Sequence, residues 1–186
     1  MKKNICVFGG SVSGKNIENK ETAEIVGKIV ACSNFNLVFG GGENGIMGAV
    51  AQSAINYGAS TTGIIPSFLL QKDLLHSGHS KKFNTELVRT ETMHQRKKMM
   101  YDKSDGFLVL PGGIGTLDEC FEVLTWCQLN QIKNKNVGII NFKGYWDPLI
   151  NLINHIIKEE FMGMNNLNYF EEIKNLHMLN IFLKNI

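Results

Sequence analysis

The sequence predicts an α/β fold, a Rossmann-like doubly wound parallel sheet of about seven strands with helices on both faces, and three observations point there. Short β-rich runs alternate with longer amphipathic stretches; several runs are apolar without interruption; and three glycine-rich segments directly follow strands. Phe107-Leu108-Val109-Leu110 and Val137-Gly138-Ile139-Ile140 lack the apolar/polar alternation of a half-exposed strand. Such runs belong to strands covered by helices on both sides.

The strands fall at residues 4–9, 36–40, 60–65, 85–89, 105–110, 136–141 and 168–173. Between and after them, amphipathic stretches near 19–33, 45–58, 92–104, 116–131, 146–160 and 175–185 are each long enough to cross over a sheet. The first run, Ile5 to Phe8, ends in Gly9-Gly10, the second ends in Gly40-Gly41-Gly42, and the third closes with Ile64-Ile65-Pro66. Ser67 to Asn84 then breaks the rhythm with Lys72, Asp73, His76, Ser77, Gly78, His79, Lys81 and Lys82, as a long loop near the ligand site does. The fifth run ends in Pro111-Gly112-Gly113, where Thr116 and Glu119 take the spacing of a capping box opening helix 116–131; Thr92 begins another at helix 92–104.

A chain of 186 residues holds one domain, here residues 1–186, without repeats or Pro-rich linkers. It is 44% apolar and 19% charged with three prolines, which excludes disordered, collagen-like and disulfide-scaffold classes. The 19 Lys/Arg are interspersed with 17 Asp/Glu, so no basic face for nucleic acid is expected. Cys6, Cys32, Cys120 and Cys127 form no CxxC pair and suit a reducing cytoplasm. The short run Ile5 to Phe8 is no signal-peptide core, and no apolar run reaches the ~20 residues that span a bilayer. The expected setting is cytoplasmic, away from membranes.

The glycine loops narrow the ligand. Beyond the carboxyl ends of strands, bare backbone amides opening a helix form an anion site, so several such loops suggest a phosphate-bearing ligand. Gly40, Gly42 and Gly45 satisfy GxGxxG, yet no Asp or Glu lies between Glu43 and Asp73 to grip a dinucleotide ribose. Gly9 to Lys15 fits GxxxxGK, but Asn16 stands where a P-loop needs Ser or Thr. His76 and His79 make an HxxH without a third metal ligand, and Cys120 should point away from its neighbour Glu119. Arg96 and Lys97 lie one turn into helix 92–104, against the helix dipole, which invites a functional explanation.

Three segments carry a family resemblance: Gly40-Gly41-Gly42-Glu43-Asn44-Gly45-Ile46-Met47-Gly48, Glu91-Thr92-Met93-His94-Gln95-Arg96-Lys97, and Pro111-Gly112-Gly113-Ile114-Gly115-Thr116-Leu117-Asp118-Glu119. The chain resembles, from about Ile5 to Phe161, the LONELY GUY (LOG) family of cytokinin riboside 5′-monophosphate phosphoribohydrolases, often mislabelled as lysine decarboxylases. The resemblance implies a catalytic pair at Arg96 and Glu119. It implies substrate contacts at Lys97, Gly112, Gly113, Ile114, Gly115, Thr116 and Thr125, with Met93, Gly42, Gly45 and Ser11 beside them and Asp73 as the nearest match to a further acidic position. It also implies a homodimer with its sites near the subunit contact.

The implied chemistry is hydrolysis of the N-glycosidic bond of cytokinin-type or adenine nucleoside 5′-monophosphates to free base and ribose 5-phosphate. An oxocarbenium-like ribose needs an anion beside it, a water, and a group to accept charge on the departing base. Glu119 and Arg96 match the first and last of these needs, and the chemistry requires neither metal nor redox cofactor. The competing expectation is a non-catalytic nucleotide carrier or molybdenum-cofactor-type binding protein of similar fold.

Overall fold

Apolar runs with no polar face need cover on both sides, and the chain supplies it by winding helices in two directions from a central strand. The computed structural model describes residues 2–69, 85–129, 131, 135–162 and 170–186. Seven strands, β1 (Asn4–Phe8), β2 (Asn36–Phe39), β3 (Thr61–Pro66), β4 (Glu86–Thr90), β5 (Gly106–Val109), β6 (Asn136–Ile140) and β7 (Glu171–Ile173), form one sheet in the order β4-β3-β2-β1-β5-β6-β7. Every neighbouring pair is parallel. The order reverses between β1 and β5, where Cys6 pairs in register with Val38 on one side and Phe107 on the other.

The described helices are α1 (Ile17–Cys32), α2 (Gly45–Asn56), α3 (Met93–Asp102), α4 (Ile114–Gln128), α5 (Asp147–Lys158) and α6 (Leu176–Lys184). Successive side chains of a strand point to opposite faces, so β1 splits between two cores. Ile5 and Val7 join Val26, Val50 and Phe182 beneath α1, α2 and α6, whereas Cys6 and Phe8 join Tyr101, Val123 and Ile153 beneath α3, α4 and α5. In the second core Phe107 stacks on Phe8 with centroids 5.9 Å apart, and Tyr101 meets Phe107 edge-on at 5.9 Å and Trp126 at 4.5 Å. This aromatic cluster seats α3 and α4 side by side over β1 and β5. Edge-to-face pairs of this kind add about 0.5–1.5 kcal/mol each beyond their area burial.

Element order and type agree with the sequence expectation, with ends moved by a few residues. One shift matters for chemistry. Helix α4 begins at Ile114 with Gly113 as its N-cap and no side-chain cap bond, so the expected capping box at Thr116 and Glu119 does not form. Thr116 is instead buried in the first turn, and Glu119 lies in the second. Thr92 does cap α3, its hydroxyl accepting the Gln95 amide at 3.2 Å, while the Gln95 side chain accepts from the amide of Glu91 rather than of Thr92. The expected long loop, with Asp73, His76 and His79, lies largely outside the described residues.

Candidate active site

Loops leaving β1, β2 and β5 meet above the strand ends at the point where the sheet order reverses, the position at which open α/β sheets hold ligands. Gly10 joins all three. Its amide donates to the Pro111 carbonyl at 3.0 Å, and its carbonyl accepts from the amides of Ile46 and Met47 at 2.9 and 3.1 Å. The first amides of α2 are thereby used inside the protein. Those of Ile114, Gly115 and Thr116 at the start of α4 have no carbonyl four residues back within their helix, and among the described residues the N-cap Gly113 supplies no side-chain cap bond. Of the glycine loops, the one after β5 therefore presents the open amides.

The three loops enclose a cavity of about 600 Å³ lined by Gly10, Ser11, Gly42, Thr116, Arg96 and Glu119 among others. Two charged side chains form its floor. Arg96 from α3 and Glu119 from α4 are 7% and 5% exposed, and Nη1 of the arginine lies 3.2 Å from Oε1 of the glutamate. The arginine is further oriented by its Nε, which donates to the Ile64 carbonyl at the end of β3 at 3.1 Å. Its other terminal nitrogen, Nη2, packs against Gly40, where any Cβ would overlap the guanidinium. The glycine is required by the close approach of a cation and not by a turn.

Burial pushes the Glu119 carboxyl up to about 7, because removal from water penalises its charged form more than the neighbouring Arg96 favours it. A carboxylate near neutrality can exchange a proton at physiological pH, as a general base must. The thiols beside it have no comparable role. Burial raises Cys6, and pushes Cys120 up to about 12, so both are protonated at neutral pH.

Of the residues expected from sequence, Ser11, Gly42, Arg96, Gly113, Ile114, Gly115, Thr116 and Glu119 line this one cavity. Gly45 lines a neighbouring groove of about 710 Å³ between α1 and α2, whose lysines and glutamates on α1, Lys20, Glu21, Glu24 and Lys28, are solvated. Gly112 sits behind the amide loop, its carbonyl accepting from the Tyr145 hydroxyl at 2.6 Å. Lys97 turns away from the cavity into an ion pair, Met93 is half-buried at the start of α3, and the exposed Thr125 donates to the Phe121 carbonyl on its own helix. None of the three is among the lining residues. Asp73 lies outside the described residues. Sequence reasoning placed Gly40 in a glycine motif without its role beside Arg96, and passed over Tyr145. The triple glycine after β2 was a visible signal for the first, whereas nothing local marks a tyrosine that braces a loop 33 residues away.

With this geometry established, comparison with known proteins is specific. A family model described as "possible lysine decarboxylase" matches residues 47–180. A cytokinin riboside 5′-monophosphate phosphoribohydrolase of Arabidopsis thaliana is 39% identical over 161 residues, covering 87% of this chain and 73% of the relative. The chain belongs to the LOG family. A bacterial relative, the cytokinin riboside 5′-monophosphate phosphoribohydrolase of Rhodococcoides fascians, is 38% identical over 86% of this chain and 78% of its own. Among solved structures, the molybdenum cofactor binding protein of Rippkaea orientalis superposes with a TM-score of 0.70 over 99% of this chain and 96% of its own at 21% identity, a likeness of fold alone. LOG-family membership and fold thus agree with the sequence expectation. Among the described residues no helix is long and apolar enough to cross a membrane, and no three His, Cys, Asp or Glu side chains cluster as a metal site.

Two measurements follow from this geometry. Gly40→Ala displaces the guanidinium and should abolish the Arg96–Glu119 contact while the fold is kept, seen as loss of activity with an unchanged far-ultraviolet circular dichroism spectrum. Glu119 holds its proton up to about pH 7 when folded but only to its ordinary 4.5 when unfolded, so between these values the native state binds more protons and loses stability as pH rises. In thermal melts Glu119→Gln should therefore gain on the native protein between pH 4.5 and 7 and hold a constant difference above that window.

Proposed function

We propose that the protein hydrolyses the N-glycosidic bond of nucleoside 5′-monophosphates of cytokinin type or of adenine, releasing free base and ribose 5-phosphate. The relatives' activity supports the reading, and one observation carries it: a buried carboxylate paired with a guanidinium faces the same cavity as the uncovered first-turn amides of α4. The 5′-phosphate sits on the amides of Ile114, Gly115 and Thr116, where the helix dipole and free N–H groups favour an anion. Its binding energy holds the ribose in place over Glu119.

Ionised Glu119 stabilises positive charge growing on C1′ and accepts a proton from the attacking water. The water oxygen bonds to C1′ as the bond to the base nitrogen breaks, and the electron pair leaves with the base, which then takes up a proton. Arg96 keeps its own proton throughout. It orients Glu119 and offers hydrogen bonds that favour departure of the base. The carboxylate's position in the second turn, and not at the N-cap, leaves the first-turn amides to the phosphate.

By the same family relationship the protein is a homodimer in the cytoplasm. Phe121 on α4 and Leu129 at its C-cap, exposed at 37% and 60%, are apolar side chains that a subunit contact would cover, and a sedimentation mass of two chains checks it.

Product chromatography after incubation with AMP, its isopentenyl derivative and the matching nucleosides tests the activity. Free base should appear from the phosphorylated forms only, with kcat in Glu119→Gln reduced by about 10³-fold or more while nucleotide binding is largely kept. Because ionised Glu119 is the working form, kcat/KM should rise with pH through about 7. Equal turnover of nucleosides contradicts the phosphate's role.

A further inference from the structure

Lys97 follows Arg96 directly on α3, and Asp118 precedes Glu119 directly on α4. The Lys97 ammonium lies 3.1 Å from Oδ2 of Asp118 and 2.7 Å from Oε2 of Glu122, the latter oxygen also accepting from the Tyr101 hydroxyl at 2.9 Å. Two cross-helix ion pairs therefore stand side by side, Arg96–Glu119 facing the cavity and Lys97–Asp118/Glu122 behind it. The lysine is itself 8% exposed, and burial depresses its basicity while the carboxylates of Glu122 and Asp118 more than restore it, so it stays charged.

Resting on the reading of Arg96 and Glu119 as the reacting pair, we propose that Lys97 is a positioning residue. Clasped by Asp118 and Glu122, it locks the register of α3 against α4 and so holds the guanidinium and the carboxylate in working geometry, without touching the nucleotide. Three features support this. Both carboxylates that hold Lys97 come from the helix that carries Glu119, one residue before it and three after it. Tyr101 ties the same carboxylate of Glu122 to the aromatic cluster under the site. Lys97 is also absent from the cavity wall to which Arg96 contributes.

The clasp also shapes the field at Glu119. The charged groups around that carboxylate are Arg96 and Lys97 on α3 and Asp118 and Glu122 on its own helix, with the neutral Cys6 of β1 and Tyr101 of α3 beside them. Removing the lysine leaves two uncompensated anions near Glu119, and removing Asp118 takes one away.

A double-mutant cycle tests the proposal, with Lys97→Met, the pair Asp118→Asn/Glu122→Gln, and all three substitutions together. Steady-state kinetics on AMP are read beside carbon NMR titration of δ-¹³C-labelled glutamate, with the Glu119 signal assigned by Glu119→Gln. The expected result is a fall in kcat of about 10- to 100-fold in Lys97→Met and a similar fall in the carboxamide pair, since misplacement of a reacting group costs on this scale. KM should stay within about two-fold, and the triple variant should be little worse than either, as for residues acting as one unit. Lys97→Arg, which keeps the charge, should retain most of kcat and guards against simple misfolding. In the titration Lys97→Met moves Glu119 upward and the Asp118→Asn/Glu122→Gln pair moves it downward.

A rise in KM with kcat intact in Lys97→Met, and none in the carboxamide pair, makes Lys97 a direct substrate contact and overturns the proposal. If the native protein releases no base from AMP or its isopentenyl derivative, the hydrolase reading fails and the NMR titration alone decides the clasp. Opposite shifts of Glu119 in the two variants then support it, and an unmoved Glu119 overturns it.

Discussion

A carboxylate and a guanidinium held together out of water are the constraint around which the upper half of this protein is arranged. Desolvating two charges costs several kcal/mol per ion even after relaxation, and their attraction repays that only in good geometry with remaining hydrogen-bonding capacity satisfied. Each supporting feature meets part of that requirement. The Ile64 carbonyl takes the Arg96 Nε proton, Gly40 leaves the space for the guanidinium, and the aromatic contacts of Phe8, Tyr101, Phe107 and Trp126 fix the two helices that carry the charges. The carboxyl held near neutrality is the outcome of this balance between burial and a single close cation.

The fold supplies the meeting point. Parallel strands send all their C-terminal loops to one edge, and the reversal of order between β1 and β5 opens a crevice there. Gly10 bonds the three glycine loops to one another and consumes the amides at the start of α2, which leaves the start of α4 as the open anion seat. A cavity with a charged pair at its floor and bare amides at its side suits a sugar phosphate better than the larger groove between α1 and α2, where the charges of α1 are solvated.

Much of this was legible in the residues, for identifiable reasons. Uninterrupted apolar runs such as Phe107 to Leu110 report burial on both faces, so strand positions and the doubly wound class could be read directly. Arg96 and Lys97 stood out because cations one turn into a helix oppose its dipole, and Glu119 because it follows a glycine turn. The distinction between the two cations was not legible: adjacent positions on a helix point about 100° apart, and only the placement of Asp118 and Glu122 on another helix decides which faces the cavity. Thr116 followed the capping rule on paper, but Gly113 opens the helix earlier and moves the threonine inside the first turn. Gly40 read only as part of a glycine-rich ligand loop, because its true neighbour is 56 residues on in the chain.

The most direct measurement is a crystal structure of Glu119→Gln soaked with AMP, in which binding survives and turnover does not. The 5′-phosphate should rest on the amides of Ile114 to Thr116, with C1′ of the ribose within roughly 3.5 Å of the side chain at position 119, as a reacting contact requires. A nucleotide bound in the α1–α2 groove, or one whose base and not its ribose meets position 119, would contradict the assignment.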